Sequence, residues 1–405
     1  MTNLPQGWEV KKLGEIGEIV TGSTPSKSNL DFYGKDYPFF KPSDFEQGYF
    51  LENAGDNLSK LGFDKARQLP PKTILVVCIG SLGKVALTRV IGSCNQQINA
   101  IIPHKNIIAE YIYYYCISSK FQSILFSKAP QTTLAILNKT EFSKLEIIYP
   151  KDIKEQERIV GILDESFAKI DESIKILEQN LLNLDELMQS ALQKAFNPLK
   201  DNAKENYKLP QGWEWKSLGE IGEIITGTTP SKNNPNFYGN EYPLFKPSDL
   251  NGDMIIKYAS DNLSKLGFDN ARNLPKDTIL VVCIGASIGK VGLSGVNGSC
   301  NQQINTIIPN SAFTSKYLFF VCLSNYFQTI LKKNASQTTL PIINKTEFSK
   351  LQIPLPPIKE QEQIAKHLDF VFEKTKALKE LYTKELKDYE ELKQSLLDKA
   401  FKGEL

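Results

Sequence analysis

Four amide side chains within seven residues are the first candidates for chemistry. Ser93–Asn99 reads SCNQQIN, and Ser299–Asn305 repeats it letter for letter. Asn and Gln carry an acceptor and a donor side by side, which matches the major-groove edge of adenine, as Lys or Arg matches guanine. The candidate DNA contacts are therefore Asn95, Gln96, Gln97 and Asn99, with Asn301, Gln302, Gln303 and Asn305 in the second copy. KPSD supplies Lys41 and Ser43, repeated as Lys246 and Ser248, and DNLSKLGFD supplies Lys60 and Lys265. QTTL adds Gln131 and Thr132, repeated as Gln337 and Thr338. NKT adds Asn138 and Lys139, repeated as Asn344 and Lys345, donors of the kind that contact phosphate. Each motif is also readable as an ordinary turn or a buried amide network, and spacing alone does not decide.

Motifs for catalysis fail on inspection. GASIGK at Gly285–Lys290 has three residues between its glycines where a phosphate-binding P-loop has four, and Val291 stands where that loop has Ser or Thr. Its counterpart, GSLGK at Gly80–Lys84, is shorter still. A turn presenting Lys84 or Lys290, as a solvated lysine or a phosphate contact, is the better reading. Glu9 with Lys11, and Glu214 with Lys216, have nuclease-like spacing but lack an acidic partner, and they read as strand starts. NNPNFY at Asn233–Tyr238 lacks the second proline of an amino-methyltransferase loop. The only histidines, His104 and His367, are not repeated, so a histidine-based catalytic or metal site is not expected. The six cysteines are three repeated positions (Cys78/Cys283, Cys94/Cys300, Cys116/Cys322) inside apolar runs, as buried free thiols would be. The reading is of a binding protein without catalytic residues, metal or a cofactor of its own.

These motifs recur because most of the chain is written twice. LPQGWE at Leu4 returns at Leu209, an offset of 205; SCNQQIN at Ser93 returns at Ser299, an offset of 206; IKEQE at Ile153 returns at Ile358, again 205. Solenoid units run about 20–50 residues, so this is a duplicated domain. With 41% hydrophobic residues in 405, each copy can bury its own core. The net charge of +2 neither demands nor excludes nucleic acid. No run of about 18 apolar residues occurs and the N-terminus lacks an apolar signal region, so a cytoplasmic protein is expected.

An α+β fold class follows for the first part of each copy. β-Branched runs at Thr73–Ile79 and Ile98–Ile102, repeated at Thr278–Ile284 and Ile304–Ile308, read as strands. Ala109–Lys128 and Ser315–Lys333 read as a helix. The second part is one long helix. Leu163, Phe167, Ile170, Ile174, Leu177, Leu181, Leu184, Met188, Ala191 and Ala195 step by four and three, a coiled-coil seam. Asp152 with Glu155 forms a capping-box-like start, and Pro198 stops the helix. In the second helix the expected seam is Ile364, Leu368, Val371, Thr375, Leu378, Tyr382, Glu385, Tyr389, Leu392 and Leu396, with one row rotated relative to the first helix. Two such helices are expected to form one antiparallel coiled coil with an α+β domain at either end, related by an approximate two-fold axis. The linker Asn197–Tyr207 is too short to span a helix. The division is 1–152, first domain; 153–197, central helix; 198–357, second domain; 358–405, distal helix.

Domain, long helix, domain, long helix over essentially the whole chain resembles the specificity subunit of type I DNA restriction–modification systems. The resemblance is carried by PKDIKEQERIV at Pro150–Val160 and PLPPIKEQEQIA at Pro354–Ala365, the LPQGWE openings, GSTPSKSN and GTTPSKNN, and the terminal KAFKGEL. The resemblance implies two target-recognition domains, each reading half of a bipartite double-stranded DNA site. It implies two docked methyltransferase subunits and added restriction (translocase and nuclease) subunits, with S-adenosylmethionine, ATP and magnesium on those partners. Glu155, Gln156, Glu360 and Gln361, in the repeated helix starts, are the candidate partner-binding residues. A type IIB-like specificity protein, or a coiled-coil scaffold for two protein-binding modules, are the alternatives.

Overall fold

A computed structural model describes residues 4–129, 135–196, 209–310, 313–336 and 340–405. It divides into two compact units, Met1–Leu177 with Thr383–Leu405, and Glu178–Tyr382. These units cut across the four-part division of the sequence, since each takes one α+β domain and a stretch of both long helices.

In the first unit a five-stranded sheet has the order Gly17–Thr21, Ile98–Pro103, Ile74–Val77, Val85–Thr88, Phe50–Leu51. All pairings are antiparallel except that of Phe50–Leu51 with Val85–Thr88. A second sheet joins Asp56–Leu58, Tyr33–Phe40 and Ser93–Cys94, and a ribbon pairs Trp8–Lys12 with Glu146–Pro150. The run Ile74–Val77 is continuously apolar because both its faces are covered. Ile74 and Val76 join the core that contains the helices, while Leu75 and Val77 join a second cluster with Phe40 and Leu51. The second unit repeats this topology strand for strand. Glu9 and Lys11 lie in the ribbon and pair with each other at 3.5 Å, which accounts for the nuclease-like spacing as strand chemistry.

The stretch read as one helix over Ala109–Lys128 is two, Ala109–Ile117 and Ser119–Lys128. Ser118 is extended between them, and its hydroxyl caps the second by accepting from the Phe121 N–H. Ser324 makes the same break in the second unit. All six cysteines are buried free thiols. Burial pushes Cys78, Cys94, Cys283 and Cys300 up to about 12.

The long helices are Ile153–Ala195 and Ile358–Ala400. Pro198 and the linker 197–208 lie outside the described residues. At the start of the central helix Asp152 Oδ1 accepts from the Lys154 N–H, while Glu155 is engaged by Arg158 instead of reaching back. Within the first unit the two helices run antiparallel. Arg158 donates to the Leu405 carbonyl at 3.0 Å, and farther along the central helix Asp171 meets Lys393 at 2.6 Å. The second unit is antiparallel too, with Asp185 paired to Lys379 and Leu192 sharing a core with Leu368.

The seam of the distal helix differs from the expected one in one row. Leu368, Thr375, Tyr382, Tyr389 and Leu396 are buried or half-buried as expected; of the other expected row Ile364, Val371 and Glu385 are half-buried, but the row that continues through the helix is Ala365, Phe372, Lys379, Leu386, Lys393 and Ala400. Leu378 and Leu392 face solvent, 38% and 44% exposed. Subtracting 205 puts this corrected seam on Val160, Leu163, Phe167, Ile170 and onward, so neither row has rotated. Two seam positions are lysines, Lys379 and Lys393, whose ammonium groups reach Asp185 and Asp171. Lys393 also stands over the Phe167 ring, 5.8 Å from its centroid.

Leu163 is fully buried among the aromatic rings of the first domain. Leu163→Ala is therefore expected to cost about 2–5 kcal/mol, while Leu392→Ala stays within about 0.5 kcal/mol. Denaturant midpoints of the two variants check this, and equal losses would refute the corrected seam.

Candidate nucleic-acid interface

One end of each domain gathers most of the repeated polar motifs. In the first unit Gly22 follows the edge strand Gly17–Thr21 and lies directly on the backbone of the SCNQQIN segment. A Cβ there would stand 2.2 Å from the Asn95 carbonyl oxygen and 2.3 Å from that of Cys94, so only glycine permits the contact. The Ser23 N–H donates to the Cys94 carbonyl at 2.9 Å, and the Asn95 N–H donates to the Phe40 carbonyl, just before Lys41. The Cys78 N–H donates to the Gln97 carbonyl, and Ile79 bridges Ile136. TGSTP, KPSD, the CIGS turn, SCNQQIN and the start of NKT thus share one surface. Gly227 repeats the approach in the second unit, at 2.2 Å from the Cys300 and 2.3 Å from the Asn301 carbonyl oxygens.

Three of the four amides in the motif are spent inside the domain, which corrects the expectation that they reach a base. Asn95 is 7% exposed, and its Nδ2 donates to Gln97 Oε1 at 2.9 Å. Gln97 is half-buried and its Nε2 donates to the Ile79 carbonyl. Asn99 is 2% exposed; its Oδ1 accepts from the Thr21 hydroxyl and its Nδ2 donates to the Leu137 carbonyl. Asn301, Gln303 and Asn305 are placed the same way, Asn301 donating to Gln303 and Asn305 accepting from Thr226. Their work is to tie the loop to the sheet. Gln96 and Gln302 alone are exposed.

The lysines are surface cations with carboxylates beside them. Lys41 pairs with Asp56, Lys246 with Asp261, Lys60 with Asp64 and Lys265 with Asp269. Lys84 meets Glu46 at 3.5 Å, whereas Lys290 donates to the Pro247 carbonyl at 3.4 Å. Exposed pairs of this kind contribute about 0–1 kcal/mol, so exchanging a carboxylate for a phosphate costs little. Lys60 and Lys265 stand apart from the shared surface, beside Tyr37 and Tyr242 on the far side of the second sheet. Ser43 and Ser248 are exposed in the KPSD turn. Asn138 and Asn344 cap short helices, each accepting from the N–H three residues on at 2.9 Å, with Lys139 and Lys345 exposed behind them. Gln131, Thr132, Gln337 and Thr338 lie outside the described residues.

Arg67 and Arg272 escaped the sequence reading. Arg67 donates to the Thr21 carbonyl, Arg272 to that of Thr226 at 2.6 Å, and among the described residues neither forms an ion pair. The available signal was their recurrence in ARQLP and ARNLP, in a chain with few arginines.

The helix starts also need correction. Gln156 is fully buried: its Oε1 accepts from the Ile108 N–H at 3.0 Å, and its Nε2 donates to the carbonyls of Asn106 and Pro150. Gln361, equally buried, accepts from the Thr314 N–H and donates to the Pro356 carbonyl. Neither has surface to offer a partner; each joins a long helix to its own domain. Glu155 takes two hydrogen bonds from Arg158, both 2.7 Å, which hold its carboxyl below the usual range.

Two copies of one α+β domain, each presenting the same polar surface and each joined by a buried glutamine to a long helix, define a protein built for paired recognition. Residues 5–182 and 210–388 both match the type I restriction modification DNA specificity domain, and the chain belongs to that family. It is 37% identical over 191 residues to the type I restriction enzyme HindI specificity subunit of Haemophilus influenzae, across 46% of this chain and 42% of that protein. It is 25% identical over 370 residues to the MjaIX specificity subunit of Methanocaldococcus jannaschii, covering 87% of this chain and 84% of the relative. The StySPI specificity subunit of Salmonella potsdam matches at 25% over 429 residues, 99% and 90% of the two chains. Among solved structures, one from work on complex assembly and conformational transition of the type I R-M system matches all of both chains, with a TM-score of 0.81 at 20% identity. The HsdS subunit from Thermoanaerobacter tengcongensis matches with a TM-score of 0.57 at 21% identity, over 100% of this chain and 98% of that one. Among the described residues no helix is long and apolar enough to cross a membrane, and no acidic, His or Cys group could hold a metal ion.

Proposed function

We propose that this chain is the sequence-specific DNA-binding subunit of a type I restriction–modification system. Each recognition domain reads one half of a bipartite target, and the chain directs methyltransferase and restriction subunits to it. The observation that carries the reading is the same polar surface in both units, built around KPSD, SCNQQIN and NKT, which match letter for letter, and presented on one family's domain. The test is to express the methyltransferase subunits with and without the chain. Methylation of one interrupted sequence only when the chain is present is the expected result, and identical methylation in both cases would refute it.

The chain acts by recognition and turns over no substrate itself. S-adenosylmethionine, ATP and magnesium belong to the partner subunits. Two methyltransferase subunits dock along the long helices, around Glu155 and Glu360. In support, the distal helix carries Phe370, Leu378 and Leu381 off its seam, 63%, 38% and 54% exposed, an apolar stripe that the second unit leaves uncovered. Glu360 is the cleaner residue to alter, because Glu155 also holds Arg158 and through it the Leu405 carbonyl. Glu360→Lys is expected to weaken co-purification of the methyltransferase while leaving the melting temperature within a few degrees of wild type. Undiminished co-purification would count against docking at this end of the helix.

A further inference from the structure

We infer that Gln96 with Thr24, and Gln302 with Thr229, form a preset base-reading pair in each domain, a donor aimed at an acceptor on a base edge. This rests on the DNA-recognition reading above. Among the amides of SCNQQIN, Asn95, Gln97 and Asn99 are held by the domain, so Gln96 is the one that can meet a ligand. It is exposed but not loose. The Thr24 hydroxyl donates to its Oε1 at 2.6 Å, and in the second unit Thr229 donates to Gln302 Oε1 at 2.9 Å.

The geometry that brings Thr24 there is built deliberately into the backbone. Gly22 lets the TGSTP loop lie against the carbonyls of Cys94 and Asn95, and the hydrogen bond from Ser23 to Cys94 fixes its register. Thr24 then falls one residue beyond, level with Gln96. Arg67 clasps the same loop twice, through the Thr21 carbonyl and, by its own backbone N–H, through the Ser23 hydroxyl. An exposed glutamine ordinarily loses rotamer freedom on binding; here the hydroxyl has already restricted it.

The direction of the pair selects the chemistry of the ligand. With Oε1 engaged by the threonine, the group left pointing outward is the Nε2 amino group, which among the described residues makes no hydrogen bond. In the major groove that donor suits an acceptor, the N7 or O6 of a purine or the O4 of thymine, and opposes the N4 amino group of cytosine. Both units hold the amide the same way round, so both read the same kind of base at the corresponding position of each half-site. Arg67 and Arg272, which hold the same loop, would take a neighbouring phosphate.

The experiment uses the full chain co-purified with its methyltransferase subunits and a panel of duplexes, each altering one base pair of the mapped target. Wild type is measured first: no discrimination at any position would refute the DNA-recognition reading itself. Given discrimination, Gln96→Ala is expected to collapse the penalty at one position of one half-site, from about 5- to 150-fold to under about threefold, leaving the other positions unchanged. Gln302→Ala should do the same in the other half-site. Gln96→Glu, which replaces a donor by acceptors, should shift preference at that position toward cytosine. Thr24→Val, of similar shape but without the hydroxyl, should reduce discrimination at that same position with the melting temperature unchanged. Penalties retained at every position in Gln96→Ala, or a uniform loss of affinity for all duplexes, would overturn the inference, the second showing a phosphate contact. If Gln96→Ala fails to fold, Thr24→Val alone decides, by whether it changes one position or none.

Discussion

Gln156→Ala is expected to destabilise the first unit by roughly 3–5 kcal/mol, more than most single changes to a polar residue. The side chain makes three hydrogen bonds, one accepted from the Ile108 N–H and two donated to the carbonyls of Asn106 and Pro150, in a site closed to solvent. Truncation leaves three backbone groups unpaired, each costing about 1–3 kcal/mol, less whatever an entering water recovers. Gln156→Glu should be no better, because a carboxylate would face two carbonyl oxygens without a proton to offer them. Gln361→Ala should act alike on the second unit, through Thr314 and Pro356. Denaturant unfolding measures the loss, and methyltransferase co-purification at a temperature where the variant is folded separates the roles. A variant as stable as wild type that no longer retains its partner would return Gln156 to the partner-binding set.

That residue shows what the sequence could and could not say. The repetition of E-Q at both helix starts was visible, and so was the conclusion that something beyond the seam required it. What it required was a hydrogen-bonding partner for the backbone of a loop nearly fifty residues earlier, and no local pattern carries that information. The seam of the distal helix shows a different limit. Periodicity by hydrophobic residue type favours Leu378 and Leu392 over their neighbours Lys379 and Lys393. The lysines occupy the seam because each finds an aspartate across it, Asp185 and Asp171. The duplication itself was the better guide, since the first helix shifted by 205 gives the observed seam in both rows. Strands were legible wherever apolar residues ran together, as at Ile74–Val77, and so was the turn presenting Lys84. The helix break at Ser118 was not, because a serine cap inside an apolar run leaves the periodicity nearly intact.

The two half-sites of the target should be the same at all but one or two positions, and sequencing of methylated bases in the source genome should return a near-palindromic interrupted motif. On the candidate surface KPSD, SCNQQIN and NKT match letter for letter between the copies, while TGSTP becomes TGTTP and the CIGS turn becomes CIGA. The copies differ chiefly at Phe45–Gly55 against Leu250–Ser260, at Thr88–Ile91 against Ser294–Asn297 and around His104–Ile107 against Asn310–Phe313, and the first two stretches meet in three dimensions. Phe50 and Leu51 pair with Leu87 and Thr88, and Arg89 stacks 3.6 Å above the Phe50 ring while pairing with Glu52. Where the first unit has Arg89, the second has Gly295, beside Ile255. This variable patch takes in the last strand of the five-stranded sheet and the end of the fourth, and the Thr24–Gln96 pair grows from the first two strands at the opposite edge. Four strand spacings separate the edges, about 19 Å. A half-site of three or four bases spans only about 10–14 Å. The variable edge is thus set apart from the Thr24–Gln96 pair, though it touches the shared surface where Asp44 of KPSD accepts from the Gly55 N–H and where Glu46 reaches Lys84 while Lys290 donates to the Pro247 carbonyl. A difference there would change one or two positions, each mismatch costing ~1–3 kcal/mol. Equal reading by two copies of one domain gives like half-sites; two unrelated half-sites in the methylated motif would instead assign base readout to the variable edge, with the shared surface left to hold phosphate.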